Sequence, residues 1–151
     1  MNNESCKAET YKHIFEVAKN LNVFISEILE RGQNHDSSKL IEPELSGFAV
    51  NTEKLSETNY GTKEYQNLLS SLDDTIKHHH ANNRHHPEHF KNGVEDMDLV
   101  DIVEMLCDWK AASERTKNGN IFQSIDYNSS RFGINNQLRK ILENTIHRYF
   151  P

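Results

Sequence analysis

The chain has 151 residues, enough for one domain with a real core, and carries a formal charge of −6 with its histidines neutral and a pI near 5.8. That balance excludes a bulk nucleic-acid binder, which would show a basic face; a small anionic ligand stays open, because an ion or a few lysines can outweigh net charge locally. Cys6 and Cys107 are too few and too far apart for a disulfide framework, the first residues lack a basic stretch followed by an apolar run, and no segment approaches the roughly 18 apolar residues of a membrane span, so the expectation is a soluble, cytoplasmic protein.

The first periodic segment runs from Ala8 to Gly32. Ile14, Val17, Ala18, Leu21, Phe24, Ile25 and Ile28 recur at helical spacing, and Gly32 is a natural stop. His13 borders that stripe, three to four residues apart from Val17, Asn20 and Phe24 in succession. Pro43 favours the start of a short helix, and Thr58 to Gly61 reads as a turn. A second strong helix follows, with Tyr65, Leu68, Leu69, Leu72 and Ile76 on its apolar face. Continuing that face by three and then four positions reaches His79 and Asn83, with His78 and His80 flanking. Pro87 disfavours helical geometry at His86, so this helix should end near Asn83 or Arg84 and lead into a loop.

The third strong helix begins near Asp98 and ends near Lys117. Apolar residues cover most of its circumference, which implies deep burial and makes Cys107 a core residue, while Asp101, Glu104 and Asp108 share one narrow face. Lys117 to Asn120 breaks the chain. A short helix follows in Ile121–Gly133, and a last one carries Ile134, Leu138, Ile141, Leu142 and Tyr149 at helical spacing. No segment alternates like a strand. The expected fold is all-α, a single-domain bundle of five to seven helices over residues 1–151.

Nine histidines stand out, six of them between His78 and His89. An expression tag would sit at a chain end and would not be interrupted by Asn, Arg, Pro and Glu. Four places offer metal ligands: His13, the pair His35–Asp36, the histidine cluster, and Asp108. Imidazole nitrogen mixed with carboxylate oxygen suits Fe, Mn, Co, Ni or Zn, and one Asp can bridge two ions. Such a centre lowers the pKa of bound water toward roughly 7 and clamps a phosphoryl group. The structural readings stand beside these: Asp36 as a helix cap, His79 as a satisfied core histidine, Asp108 as a buried carboxylate paired with a cation, Asp101 and Glu104 as a solvated edge or as carboxylates orienting histidines.

The stretch His35–Lys39, HDSSK, resembles the HDxGK signature of the HD-domain superfamily of metal-dependent phosphohydrolases. The segment around His13 resembles the helix that supplies that superfamily's first histidine. His79, the pair His85–His86 and Asp108 then follow in the order of the HD-GYP branch. The resemblance covers roughly residues 10 to 116. No GYP tripeptide follows the histidine pair and Ser38 stands at the usual glycine, so specificity for cyclic dinucleotides is not implied. The chain is also similar to short phage and gut-bacterial proteins grouped only as a domain of unknown function.

The superfamily resemblance implies an HD-like helical domain in which His13, His35, Asp36, His79, His85, His86 and Asp108 hold one or two divalent ions. It implies hydrolysis of a nucleotide, cyclic nucleotide or other phosphate ester by metal-bound hydroxide. Asp36 and Lys39 are then the catalytic residues, with Lys39 stabilising phosphoryl charge. A non-catalytic module that sequesters a small ligand or protein partner is the alternative. The expected partner is a small phosphorylated molecule, with neither membrane nor bulk nucleic acid, and a homo-oligomer is compatible.

Overall fold

The structure is a computed structural model that describes residues 3–57, 63–115 and 118–150; side chains at 51–57, 64–66, 68, 69 and 71 lie outside the description. The expected turn at Thr58–Gly61, and the side chains of Tyr65, Leu68 and Leu69, therefore fall outside the described residues. Among those described, the chain is all-helical. The helices are α1 (Asn3–Asn34), α2 (Glu44–Glu57), α3 (Lys63–Asn82), α4 (Leu99–Glu114), α5 (Ile121–Phe132) and α6 (Asn136–Tyr149). Short 3-10 turns occupy Ser37–Leu40, Pro87–His89 and Gly93–Asp96. The chain divides into two compact units, Met1–Asn34 and His35–Pro151.

The first unit is α1. None of its residues is buried, and its polar face carries ion pairs one turn apart, Lys12 with Glu9 and Lys19 with Glu16. Each adds a few tenths of a kcal/mol at most. Gly32 does not stop this helix, which continues two residues further to Asn34. The break comes instead at Asp36, whose φ of 56° and ψ of 17° are left-handed. Asp visits that region at a cost on the order of 1 kcal/mol, and residues held there cluster at functional sites.

In the second unit, α2 packs along α3, and α5 packs between α4 and α6. Gly47 permits the first contact, because a Cβ there would collide with the side chain of Thr75 on α3. The apolar core is Leu106, Ile121, Ile125, Leu142 and Ile146, with Ile102, Trp109, Ile134 and Leu138 packed against it. The expected face of α6 is shifted: Leu142 and Ile146 are buried, while Ile141 and Tyr149 are exposed. Helix α4 is only half embedded. Val100, Asp101, Met105 and Leu106 are buried, but Leu99, Val103 and Cys107 are exposed, which corrects the reading of Cys107 as core. An apolar circumference overstates burial when only one side of a helix meets α5 and the core.

Local chemistry sets the helix ends. Asp98 caps α4 by accepting from Val100 N and Asp101 N, and Asp101 accepts from Asp98 N in return, a capping box. Asn120 and Asn135 cap α5 and α6, and α5 ends at Gly133 with φ of 64°. Helix α3 ends at Asn82, one residue before the expected end near Asn83 or Arg84. No helix among the described residues is long and apolar enough to cross a membrane.

Candidate metal centre

The residues of the centre all lie in the second unit, and they come from three directions. His35, Asp36, Ser38 and Lys39 come from the left-handed corner and the turn after it. Glu44 opens α2, His79 and Asn83 end α3, and His85 and His86 follow in the loop. Glu104 and Asp108 project from α4, one turn apart. Arg84 fastens the loop to α4: its Nε and Nη2 donate to the two oxygens of the buried Asp101 at 3.0 and 2.8 Å. That clamp immediately precedes His85 and holds the histidine pair against α4. Asp101 is thus committed to structure, and Glu104 and Asp108 face the histidines.

The imidazoles of His35, His79 and His85 converge on Asp36. His79 Nε2 and His85 Nε2 lie 3.2 and 3.5 Å from Asp36 Oδ1, and His86 Nε2 lies 3.0 Å from His79 Nε2. Asp36 Oδ1 and His85 Nε2 are buried and have no hydrogen-bond partner. Two ligands bound to one ion at about 2.05 Å stand about 2.9 Å apart at a right angle and about 3.6 Å apart at 120°. The His79–Asp36, His85–Asp36 and His79–His86 separations fall in that interval, and one ligand atom from each of the four residues lies within 4.8 Å of the others. On the other side of Asp36, His35 Nε2 stands 3.6 Å from its Oδ2 and 3.7 Å from Asp108 Oδ1. The donor set and its orphaned buried atoms fit a divalent ion of the Fe, Mn, Co, Ni or Zn type.

Two glutamates stand behind the imidazoles. The fully buried Glu44 lies 2.8 Å from both His78 Nδ1 and His79 Nδ1, and Ser38 Oγ donates to it at 2.8 Å. Glu104 Oε1 lies 2.9 Å from His35 Nδ1 and 3.1 Å from His85 Nδ1. Glu104 Oε1 thus meets an imidazole Nδ1 on either side without an ion. Lys39 Nζ donates to Asp36 Oδ2 at 2.7 Å and lies over the Phe48 ring.

The electrostatics describe a site short of positive charge. Burial alone would raise the Asp36 carboxyl, but the contacts with His79 and Lys39 outweigh it and hold the group far below the usual range. Burial likewise opposes ionisation of Glu44 and Asp108, and their histidine neighbours win in both cases. Asp108, then Glu104, draw His35 up to about 10, so in the ion-free centre a proton there supplies the missing cation. Burial, then His85, push His86 down to about 3, so its imidazole is neutral and its lone pair available.

Of the seven expected ligands, the structure brings His35, Asp36, His79, His85, His86 and Asp108 together. His13 lies on α1 in the first unit, exposed, and the ligand groupings among the described residues do not include it. Lys39 is beside Asp36 as expected. His78 is an exposed partner of Glu44, His89 Nδ1 donates to His80 O, and His147 lies tilted against the Phe122 ring. Sequence reasoning missed Glu44: a single Glu after Pro43 carries no local signal, and its partners are 34 and 35 residues away. No curated protein and no solved structure matches the chain. One family profile does match, over residues 2–148, and the chain belongs to that family, the family of unknown function DUF5662.

Proposed function

We propose that the second unit is a metal-dependent phosphohydrolase acting on a nucleotide, cyclic nucleotide or other phosphate ester. The observation that carries this reading is the approach of His79 Nε2 and His85 Nε2 to a buried oxygen of Asp36 that has no hydrogen-bond partner, with His86 Nε2 beside them, 3.0 Å from His79 Nε2. Asp36, His79, His85 and His86 would hold one ion. His35 and Asp108, with the second oxygen of Asp36, would hold another. A bound divalent ion supplies Lewis acidity and an activated water near neutral pH.

The chain's own residues supply the rest. Asp36 is set in its left-handed corner so that its two oxygens face opposite ligand sets. Lys39 is half-exposed beside it, and its ammonium would leave Asp36 for a phosphoryl oxygen once ions neutralise that carboxylate. The order of ligands along the chain resembles the HD-domain superfamily, which supports the same reaction class.

The test is turnover. Untagged protein reconstituted with Mn²⁺ or Fe²⁺ should release product from at least one member of a panel of nucleotides, cyclic nucleotides and phosphate monoesters, and Asp36→Asn should abolish it. Activity insensitive to Asp36→Asn would overturn the assignment. A ligand that co-purifies and survives long incubation intact would favour sequestration instead.

A further inference from the structure

We propose that Glu44 and Glu104 are positioning residues that fix the imidazole tautomers of the centre before any ion arrives. The inference deepens the metal reading and rests on it for its consequence, but its structural content stands on hydrogen-bond accounting alone.

The accounting closes around His79. Asn83 Nδ2 lies 3.0 Å from His79 Nδ1 and Ser38 Oγ lies 3.4 Å from it, so either could in principle donate there. Neither has a hydrogen left. The two amide hydrogens of Asn83 go to Ser38 Oγ at 2.7 Å and His79 O at 2.8 Å, and the single hydroxyl hydrogen of Ser38 goes to Glu44 Oε2. What remains at His79 Nδ1 is the Glu44 carboxylate, which only accepts. Nδ1 must therefore carry a proton, which leaves Nε2, 3.2 Å from Asp36 Oδ1 and 3.0 Å from His86 Nε2, as the nitrogen an ion would take. Around His85 the same logic applies: Nδ1 faces Glu104, so Nε2 is the bare nitrogen, and it is buried without a partner.

Each glutamate serves two histidines, but not the same kind. Glu44 holds one proposed ligand, His79, and the exposed His78. Glu104 holds two proposed ligands, His85 from one ion position and His35 from the other. Loss of Glu104 should therefore disturb both positions, and loss of Glu44 only one.

The experiment is long-range ¹H–¹⁵N correlation of histidine-labelled, metal-free protein at neutral pH, followed by titration with Zn²⁺ alone. In the wild type, His79 and His85 should appear as Nδ1–H tautomers. Glu44→Gln should shift His79 and leave His85 unchanged, and Glu104→Gln should do the reverse. Zn²⁺ affinity should fall about 10-fold in the first and about 100-fold in the second, the span typical of lost ligand support, with helicity retained. Glu104→Asp should recover part of the loss.

Nε2–H tautomers in the wild type, or variants that leave both tautomers unchanged, would overturn the proposal. If Glu44→Gln does not fold, the wild-type tautomers and Glu104→Gln still decide it. A wild type with the expected tautomers and no Zn²⁺ binding would refute the metal reading and leave the tautomer assignment standing.

Discussion

Helix α4 has two sides that obey opposite rules. On one, Leu106 joins Ile121, Ile125, Leu142 and Ile146 in a cluster with no polar atom to satisfy. On the other, Glu104 and Asp108 enter a region where Glu44, His79 and His85 are buried with their hydrogen-bonding groups. The apolar side stabilises in proportion to area removed from water, roughly 25 cal/mol per Å². The polar side gains little net stability from its bonds and would cost heavily if they were left unmade. A fold seeking only stability would fill that side with Leu. The polar side keeps an orphaned oxygen, a bare imidazole nitrogen and a left-handed aspartate, which an ion would satisfy.

The contrast can be broken from either side. The largest effect should come from Asp36→Asn, which should lower Mn²⁺ affinity by more than about 100-fold, beyond the usual cost of losing a supporting partner, with helicity retained by circular dichroism. Ile125→Ala should do the opposite. It should cost about 2–5 kcal/mol in a denaturant melt and leave Mn²⁺ affinity per folded molecule intact. If Ile125→Ala emptied the centre as thoroughly as Asp36→Asn, the two sides would not be separable.

The next effect is a pH slope. Folded His35 keeps its proton up to about 10 rather than the ordinary 6.5, and an ion must displace it. Mn²⁺ affinity should therefore climb with pH, about tenfold per unit between 6.5 and 8 from this one proton, and His35→Asn should flatten the rise. In the metal-free protein the same proton acts in the other sense. Its stabilising contribution is full below 6.5 and is lost as pH rises toward 10. A smaller effect is expected from Gly47→Ala, about 1–3 kcal/mol, because the added Cβ must push α2 away from Thr75 and withdraw Glu44 from the histidines. Isothermal titration of that variant should show weakened Zn²⁺ binding as well.

Much of the polar side could be read from residue spacing. The α3 stripe, extended by three and four positions, placed His79 and Asn83 inward, and both are buried. Pro87 marked the end of α3, and the adjacent His35–Asp36 and the distant Asp108 were found as residue types with a shared chemistry. Periodicity failed where burial depends on which neighbour arrives. Ile141 and Tyr149 keep the helical period and are exposed, and Cys107 lies on an apolar helix and is exposed. Gly32 looked like a terminator, yet the left-handed residue is Asp36. Glu44 was invisible because its role is set by contacts with a helix one loop away, and Glu104 could be read only as one of two alternatives.

The central claim is that Asp36 and the histidines of α3 and its loop share an ion. The most direct test is elemental analysis of untagged protein grown with supplemented Mn, Fe and Zn, wild type beside Asp36→Asn. The account predicts one to two equivalents of transition metal in the wild type and background in the variant. Equal content in both, or a wild type that stays empty, would contradict it.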